Sequence, residues 1–349
     1  MILGVVGCGY WGSKHVRVLY GIPQVDQIVA IDPSEERLRR LKQAFPSLVT
    51  HRNLQSALDY VDAVVIATPP RTHATLALTA MAAGKGVLVE KPLAMSVKEA
   101  RRMIEEASAR SLVLMAGHTF EYNAAVWKLQ ELVQNNELGR IYYMDSARLN
   151  LGLYQFDVNV IWDLAPHDVS ICNYVLGATP VSVQAWGSRH GHRYLEDVAY
   201  LRLQYTCPDV TANIHVSWLD PCKVRRTTVV GSSKMVIYDD LCSEERIRIF
   251  DKGLISPEDV GEPQSMPMSY RYGEIRAPYV SFEEPLNVQD REFVSCLLDC
   301  RQPQTDGDKG LSVVRVLEGA DISLKTDRPV YLDEISELDG HEAELAKIP

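Results

Sequence analysis

The chain has 349 residues, 46% of them hydrophobic and 23% charged, with a formal net charge of -10, which excludes a disordered or fibrous chain and suits a globular protein of two domains. Nucleic-acid binding depends on lysine and arginine side chains that neutralise phosphates, so we expect no nucleic-acid partner. No apolar run approaches the ~20 residues that span a bilayer, and the first predicted strand starts at residue 2 without a basic leader, so we expect a cytoplasmic protein without a membrane segment.

The first predicted unit is a strand, a glycine-rich turn and a helix. The apolar run 2–6 leads into Gly7-Cys8-Gly9-Tyr10-Trp11-Gly12, which has G-x-G-x-x-G spacing, and residues 11–20 suit a helix. In such a unit the first glycine allows a tight turn, the second lets a pyrophosphate approach the backbone, and the third lets helix and strand pack closely. The helix then directs its free N–H groups at the phosphates. We therefore predict a dinucleotide site at this loop, including Tyr10 and Trp11.

A carboxylate follows the second predicted strand. Residues 27–31 form this strand, and Asp32 comes twenty residues after Gly12, which is the spacing expected for a group that binds the adenosine ribose hydroxyls. Because a carboxylate there repels a 2′-phosphate, we predict NAD rather than NADP, with Arg37 also near the cofactor. Asp32 also suits an N-cap for a helix starting at Pro33, and the two roles are compatible.

Strands and helices alternate through residue 117, which is typical of a parallel sheet covered on both faces. Further strands are predicted over 62–67, 86–89 and 112–116, and helices over 72–83 and 96–110, the last opened by a capping box of Ser96 and Glu99. Ligands of such sheets bind beyond the carboxyl ends of the strands. Two loops at that edge contain polar residues, 67–73 and 90–92.

The pattern changes after residue 121. We predict a helix to 136, a strand over 141–151 that places Arg148 and Asn150 on one face, a helix over 162–176, and several alternating strands between 181 and 250. These strands predict a one-sided antiparallel sheet whose other face is free for substrate or another subunit. Residues 251–285 contain five prolines and are interpreted as a long loop, followed by helices over 286–300 and 310–325.

Four motifs in this order resemble those of the Gfo/Idh/MocA oxidoreductases, which act on sugars and cyclitols. They are the glycine loop, Ala67-Thr68-Pro69-Pro70-Arg71-Thr72-His73, Glu90-Lys91-Pro92 and Trp162-Asp163-Leu164-Ala165-Pro166-His167-Asp168. The resemblance implies an α/β protein with an N-terminal Rossmann domain, a doubly wound parallel sheet, over 1–120. It also implies a C-terminal α+β domain with a large open, mainly antiparallel sheet over 121–332, which often builds a dimer or tetramer. Residues 333–349 would be an acidic tail.

The same resemblance implies roles for individual residues. Lys91, Asp163 and His167 match the catalytic groups of the family. Thr68, Pro69, His73 and Glu90 would touch the cofactor, as would Lys91, which would also reach the substrate hydroxyl. The continuation of the glycine loop over 11–17 is most similar to the branch that acts on nucleotide-linked sugars.

The chemistry agrees with these roles. Oxidation of a secondary alcohol by NAD needs a base to take the hydroxyl proton while the hydride leaves carbon. We expect His167, whose unperturbed pKa lies near 6.5, to accept the hydroxyl proton. We expect Lys91 to bind and polarise the hydroxyl oxygen. Asp163, four residues before His167, could orient the imidazole or act only as a helix N-cap. Which of Lys91 and His167 is the principal base stays open.

Several weaker candidates have ordinary alternatives. Lys223, Arg225 and Arg226 could meet a diphosphate or form a solvated face, and Arg148 with Asn150 could touch substrate or belong to an edge strand. His190 and His192 have metal-like spacing without a third ligand, so we expect no metal. His118 and Phe120 stand where many relatives have arginine or asparagine, and no role is assigned to them.

The leading hypothesis is an NAD-dependent dehydrogenase that acts on a ring hydroxyl, at C3, of a nucleotide-linked hexose or hexuronic acid, as a homo-oligomer. One alternative is a dehydrogenase of a free cyclitol such as inositol or of an unactivated sugar. Another is a regulator that binds NAD without catalysis.

Overall fold

The computed structural model describes residues 1–152, 154–191, 193–255 and 269–335. Within these ranges the chain divides into two compact units. The first consists of Met1–Tyr122, Glu283–Glu318 and Ile335, and the second of Asn123–Phe282 and Gly319–Glu334. No helix in these ranges is long and apolar enough to cross a membrane.

The first unit is built on a parallel sheet. Its described strands are β1 (Ile2–Val6), β2 (Gln27–Ile31), β3 (Val49–His51), β4 (Ala63–Ile66), β5 (Gly86–Glu90) and β6 (Leu114–Gly117). They lie in the order β3-β2-β1-β4-β5-β6, and every pair is parallel. Strand order reverses between β1 and β4, and ligands of such sheets bind beyond the strand ends at that switch point. The predicted doubly wound sheet is confirmed.

Helices of the first unit follow the predicted alternation. They are α1 (Tyr10–Leu19), α2 (Glu35–Ala44), α3 (His73–Ala82), α4 (Val97–Ala109) and α7 (Pro285–Asp299), with short 3-10 helices at Leu58–Tyr60, Pro70–Thr72 and Thr119–Tyr122. Ser96 caps α4 as predicted, because its side chain accepts the Glu99 N–H at 3.2 Å. The Glu99 carboxylate in turn accepts the Met95 N–H at 3.1 Å.

The domain division differs from the predicted one over Glu283–Glu318, which belongs to the first unit rather than the second. Helix α7 places Phe293 and Val294 in the core cluster that contains Val16 and Leu19 of α1. Helix α8 (Gly307–Thr326) runs from the first unit into the second. The prediction assumed that each domain is continuous in sequence, whereas apolar side chains of α7 are buried with residues nearly three hundred positions earlier.

The second unit is built on a mixed sheet. Its described strands are β7 (Ile141–Leu149), β8 (Ser182–Ser188), β9 (Val198–Thr206), β10 (Asp209–Ser217), β11 (Val224–Gly231), β12 (Met235–Asp239), β13 (Ile247–Ile255), β14 (Ser269–Arg276) and β15 (Val330–Tyr331). They lie in the order β14-β13-β12-β11-β7-β10-β9-β8-β15. The β7–β10 pair is parallel and the other described pairs are antiparallel, which confirms the mainly antiparallel sheet.

One face of this sheet is covered by helix α6 (Val160–Leu176), which packs against β7 and β10; helix α5 (Ala124–Gln134) packs against α6. In β7 the side chains of Met144, Ser146 and Arg148 are buried, whereas Tyr143 and Asp145 are exposed. This alternation makes the sheet one-sided, as predicted.

Two predictions about this unit are wrong. Residues 251–285 are not one long loop, because β13 continues to Ile255 and β14 occupies Ser269–Arg276; residues 256–268 lie outside the described part. The strand predicted to reach 151 ends at Leu149, so Asn150 is exposed while Arg148 is buried. The predicted acidic tail falls mostly on 336–349, which, like His192, lies outside the described residues.

Candidate active site

The glycine loop between β1 and α1 has two glycines that the protein itself requires. Gly7 has a φ of +87°, and a Cβ there would lie 2.6 Å from the Ala67 carbonyl oxygen. A Cβ on Gly12 would lie 1.7 Å from the Gly7 carbonyl oxygen. A Cβ on Gly9 would meet no atom within 4 Å. Gly9 therefore leaves open space beside the free N–H groups of α1, where the backbone can receive a pyrophosphate.

Asp32 supports the glycine loop through its carboxylate. Oxygen Oδ2 accepts the Cys8 N–H at 2.7 Å and Oδ1 accepts the Ser34 N–H at 2.8 Å. The N-cap of α2 is Ser34, which accepts the Arg37 N–H, so the alternative of Asp32 as N-cap is wrong. Asp32 is 1% exposed, and the Arg37 guanidinium lies 3.4 Å from Oδ2. The Arg37 side chain is itself half exposed.

His73 connects the two loops that follow β4 and β5. Its Nε2 lies 2.9 Å from the Thr68 carbonyl oxygen and its Nδ1 lies 2.8 Å from the Pro92 carbonyl oxygen. Its side chain has no exposed surface, and burial lowers its pKa. The predicted contact of His73 with the cofactor stays a prediction. Thr68 is partly exposed and Pro69 is exposed at the same strand edge.

Glu90 at the end of β5 belongs to a buried ionic chain. Its Oε1 lies 3.0 Å from Nε2 of His15, and Nδ1 of His15 lies 3.0 Å from both carboxylate oxygens of Asp290. The other Glu90 oxygen accepts the backbone N–H of Lys91 at 3.2 Å. Sequence reasoning missed His15 and Asp290. His15 lies in the motif that continues the glycine loop, whereas nothing local to Asp290 marks it.

Two further buried polar residues lie at the end of β6. His118 has no exposed surface, and neither ring nitrogen has a hydrogen-bond partner among the described residues. Burial lowers its pKa to about 4 despite the nearby Glu90 carboxylate. Burial also raises the pKa of Glu121 to about 8, although the Lys309 ammonium opposes this shift.

Helix α6 presents Asp163 and His167 of the predicted catalytic set. Asn159 caps this helix by accepting the Trp162 N–H at 3.2 Å, so the alternative of Asp163 as N-cap is wrong. Oδ2 of Asp163 lies 3.0 Å from the indole Nε1 of Trp218, which follows β10. His167 is 9% exposed. Lys91 belongs to the first unit and these two residues to the second, and their joint action stays a prediction.

Arg148 is committed to a buried ion pair. Its Nε and Nη2 lie 2.6 and 3.3 Å from the two carboxylate oxygens of Asp168, and the Ser146 hydroxyl donates to the same carboxylate at 2.6 Å. Arg148 and Asp168 are 6% and 2% exposed. The ion pair anchors α6 to β7 directly beside His167, and a contact of Arg148 with substrate stays a prediction. Sequence reasoning missed Asp168.

The basic residues around β11 do not form one patch. Arg225 lies opposite Arg148 in the ladder, and its guanidinium lies 3.3 Å from the Asp240 carboxylate. Arg226 lies opposite Ala147 and lines a groove on the open face of the sheet. Because successive residues of a strand point to opposite faces, a single diphosphate cannot bind both arginines. Lys223 is exposed before the strand begins.

The parallel sheet, the glycine loop and Asp32 define a dinucleotide-binding α/β protein. A sequence model described as "oxidoreductase family, NAD-binding Rossmann fold" matches residues 1–118, and one for the Gfo/Idh/MocA C-terminal domain matches residues 126–237. The chain belongs to the Gfo/Idh/MocA oxidoreductase family. Its N-terminal domain is an NAD-binding Rossmann domain, and the open space at Gly9 suits that cofactor.

Named relatives act on different substrates. Myo-inositol 2-dehydrogenase of Thermotoga maritima is 24% identical over 353 residues, which cover 96% of this chain and 99% of that protein. UDP-N-acetylglucosamine 3-dehydrogenase of Acidithiobacillus ferrooxidans is 34% identical over 193 residues, or 54% of this chain and 58% of that protein. The crystal structure of GenD2 from gentamicin A biosynthesis, in complex with NAD, is 26% identical with a TM-score of 0.79, covering 95% of this chain and 96% of that one.

Proposed function

We propose that the protein is an NAD-dependent dehydrogenase that transfers a hydride between a ring secondary alcohol, at C3, of a nucleotide-linked hexose or hexuronic acid and NAD. The observation that carries this proposal is the presence of Lys91, Asp163 and His167 at the positions that match the catalytic motifs of the family. The nucleotide-linked substrate is supported by the similarity to UDP-N-acetylglucosamine 3-dehydrogenase.

Each of these side chains has a defined task in the proposed reaction. Bound NAD supplies the hydride acceptor. Imidazole Nδ1 or Nε2 of His167 takes the hydroxyl proton as the hydride leaves carbon, and the Lys91 side chain binds the hydroxyl oxygen. Asp163 orients the substrate or the imidazole, with its own carboxylate held by the Trp218 indole at 3.0 Å.

Incubation of the purified protein with NAD and a panel of sugars, while NADH formation is followed, tests this function. The panel pairs each nucleotide sugar with the same sugar lacking its nucleotide, and adds inositols. We expect turnover of a nucleotide sugar with a much higher kcat/KM than that of its free counterpart. Equal kcat/KM values for the pair would contradict the substrate class.

A second candidate is a dehydrogenase of a free cyclitol. It is favoured by the similarity to myo-inositol 2-dehydrogenase, which extends over 99% of that protein. Turnover of an inositol with no activity on any nucleotide sugar would establish it in place of the first. If no compound yields NADH while NADH still binds, a non-catalytic regulator is the remaining function.

We also propose that the protein is a homo-oligomer, a dimer or tetramer, assembled through the open face of the mixed sheet. This face carries a stack of three rings, with centroids 5.1 Å apart for Trp186 and Tyr200 and 4.0 Å apart for Tyr200 and His215. Trp186 is 55% exposed, and the rings border a groove of about 400 Å³. Light scattering should give a multiple of the chain mass that Trp186→Asp reduces; a wild-type monomer would contradict the assembly.

A further inference from the structure

We infer that His15 is a positioning residue for hydride transfer: as a buried imidazolium it fixes Glu90, and through Glu90 the strand end that carries Lys91. The inference rests on the proposed function, in which Lys91 binds the reacting hydroxyl. It concerns a side chain on α1 that has no exposed surface.

The two carboxylates that face His15 favour a charged ring. His15 has no exposed surface, and carboxylate oxygens face both of its nitrogens, Asp290 at 3.0 Å from Nδ1 and Glu90 at 3.0 Å from Nε2. Ionised carboxylates only accept hydrogen bonds, and a neutral imidazole has one N–H. While both carboxylates are ionised, the two contacts therefore form together only when both nitrogens carry protons. Asp290 and Glu90 are themselves 0% and 6% exposed, so neither carboxylate can turn to solvent instead.

Most of the charges around His15 favour the same state, although burial raises the pKa of Asp290 against the opposing effect of His15. Burial alone would lower the pKa of His15, but Asp290 and Glu90 raise it to about 10. Burial would raise the pKa of Glu90, but His15 and then Lys91 lower it. Glu90 also acts electrostatically on the imidazoles of His73 and His118, and both have lowered pKa values because they are buried. His15 is therefore, together with Lys91, a cation that keeps Glu90 ionised.

His15 joins three elements of the first unit. It lies on α1, whose first turn is the last part of the glycine loop. Glu90 ends β5, and Asp290 lies on α7. Glu90 in turn accepts the Lys91 backbone N–H at 3.2 Å. One buried cation therefore sets the distance between the helix that receives the pyrophosphate and the residue that follows β5. Loss of its charge would leave two buried carboxylates, one of which must take a proton.

The test compares His15→Gln with His15→Gln/Asp290→Asn. In the single variant Glu90 loses its cation and keeps a buried anionic neighbour, so we expect the acidic limb of kcat against pH to move up by about one to three pH units. The double variant removes the neighbouring charge as well, so we expect the limb to move back toward the wild-type position. If His15 served packing alone, the acidic limb of kcat would stay at the wild-type pH in the single variant. The double variant would then show no recovery relative to the single one.

His51→Gln is the matched control, since His51 is partly exposed and its Nδ1 lies 3.2 Å from the Ser56 hydroxyl; its pH profile should equal that of the wild type. If His15→Gln does not fold, Asp290→Asn is compared with His15→Gln/Asp290→Asn. The acidic limb of kcat should lie at a higher pH in the double variant, which lacks His15, than in Asp290→Asn. An unmoved limb in that pair would overturn the inference.

A second measurement does not depend on turnover. In protein labelled at histidine, the NMR signals lost in the variant that lacks His15 should be those of an imidazolium from about pH 6 to about pH 9. A neutral ring at about pH 7 would overturn the inference even if the enzyme is active. An imidazolium in a protein that oxidises no sugar or cyclitol would instead count against the proposed function alone.

Discussion

The indole Nε1 of Trp218 lies 3.0 Å from Oδ2 of Asp163. Trp218 is 2% exposed and directly follows β10, whereas Asp163 lies in the first turn of α6. A buried donor of fixed direction therefore holds one oxygen of the carboxylate that we assign to the reaction. Trp162, on the same helix, donates its own indole N–H to Asp321 at 2.7 Å, which provides an internal comparison.

Replacement of Trp218 by phenylalanine keeps an aromatic ring and removes this donor. Loss of a buried hydrogen-bond partner costs about 1–3 kcal/mol, so kcat of Trp218→Phe should fall about tenfold to a hundredfold. Trp162→Phe should lose similar stability with kcat nearly unchanged, because Asp321 has no assigned role in the reaction. Equal losses of kcat in the two variants would show that the Trp218 contact is only structural.

Gly9→Ala should separate cofactor binding from folding. A Cβ at Gly9 meets no protein atom within 4 Å, so the free energy of unfolding should stay at the wild-type value. The methyl group would occupy the space for the pyrophosphate, so NADH affinity, measured by fluorescence, should fall about tenfold or more. Gly12→Ala should instead be destabilised by about 3 kcal/mol, because its Cβ would lie 1.7 Å from the Gly7 carbonyl oxygen. Unchanged NADH affinity in Gly9→Ala would contradict the site.

Glu121 should make folding stability depend on pH. Burial, with a smaller contribution from Asp306, raises its pKa from 4.5 to about 8, so the folded protein binds this proton more tightly than the unfolded chain. Its contribution is fully present below about pH 4.5 and is lost as the pH rises through about 8. Glu121→Gln should therefore match the wild type near pH 4.5 and exceed it by about 2–5 kcal/mol above pH 8.

Denaturant unfolding across this pH range measures that difference. Glu131→Gln is the control, since Glu131 is exposed on α5 and pairs with Lys128 at 2.8 Å, and its difference from the wild type should not change with pH. A constant difference for Glu121→Gln would show that Glu121 is already ionised in the folded protein.

Arg148→Met should destabilise the protein by about 3–5 kcal/mol, because it leaves the Asp168 carboxylate buried and unpaired. Arg148→Met/Asp168→Asn should regain most of this loss in urea unfolding. If the ion pair accounts for Arg148, KM for the sugar should be the same in the double variant and the wild type. A raised KM with restored stability would return Arg148 to the substrate site.

Signals confined to a few neighbouring residues predicted their structures well. The strand, glycine loop and helix from Ile2 to Leu19 could be predicted from apolar runs and three glycines, and the cap of α4 from Ser96 and Glu99. Each depends on contacts within a few positions along the chain. The cap of α6 was missed because Asn159 precedes the apolar run, so Asp163 in the first turn resembled an N-cap.

Pairings between distant residues could not be predicted. His15 and Asp290 are 275 positions apart, and the residues next to each in sequence do not indicate which opposite charge it pairs with. Strand β14 was taken for a loop because it is an edge strand with nearly every side chain exposed, so it lacks the alternation of apolar and polar residues that marks a half-buried strand. The segment 283–318 was assigned to the wrong unit because the residues that it packs with precede it by most of the chain.

In the proposed reaction Lys91 and His167 act together on one hydroxyl group. Removal of either of two groups that act as a unit costs about as much as removal of both. The direct test is kcat for the oxidation of the sugar alcohol by NAD in Lys91→Met, His167→Asn and the double variant, with NADH affinity measured in each. We expect all three variants to bind NADH and the double variant to be no slower than the slower single variant. Losses of kcat that multiply in the double variant would show that Lys91 and His167 act independently.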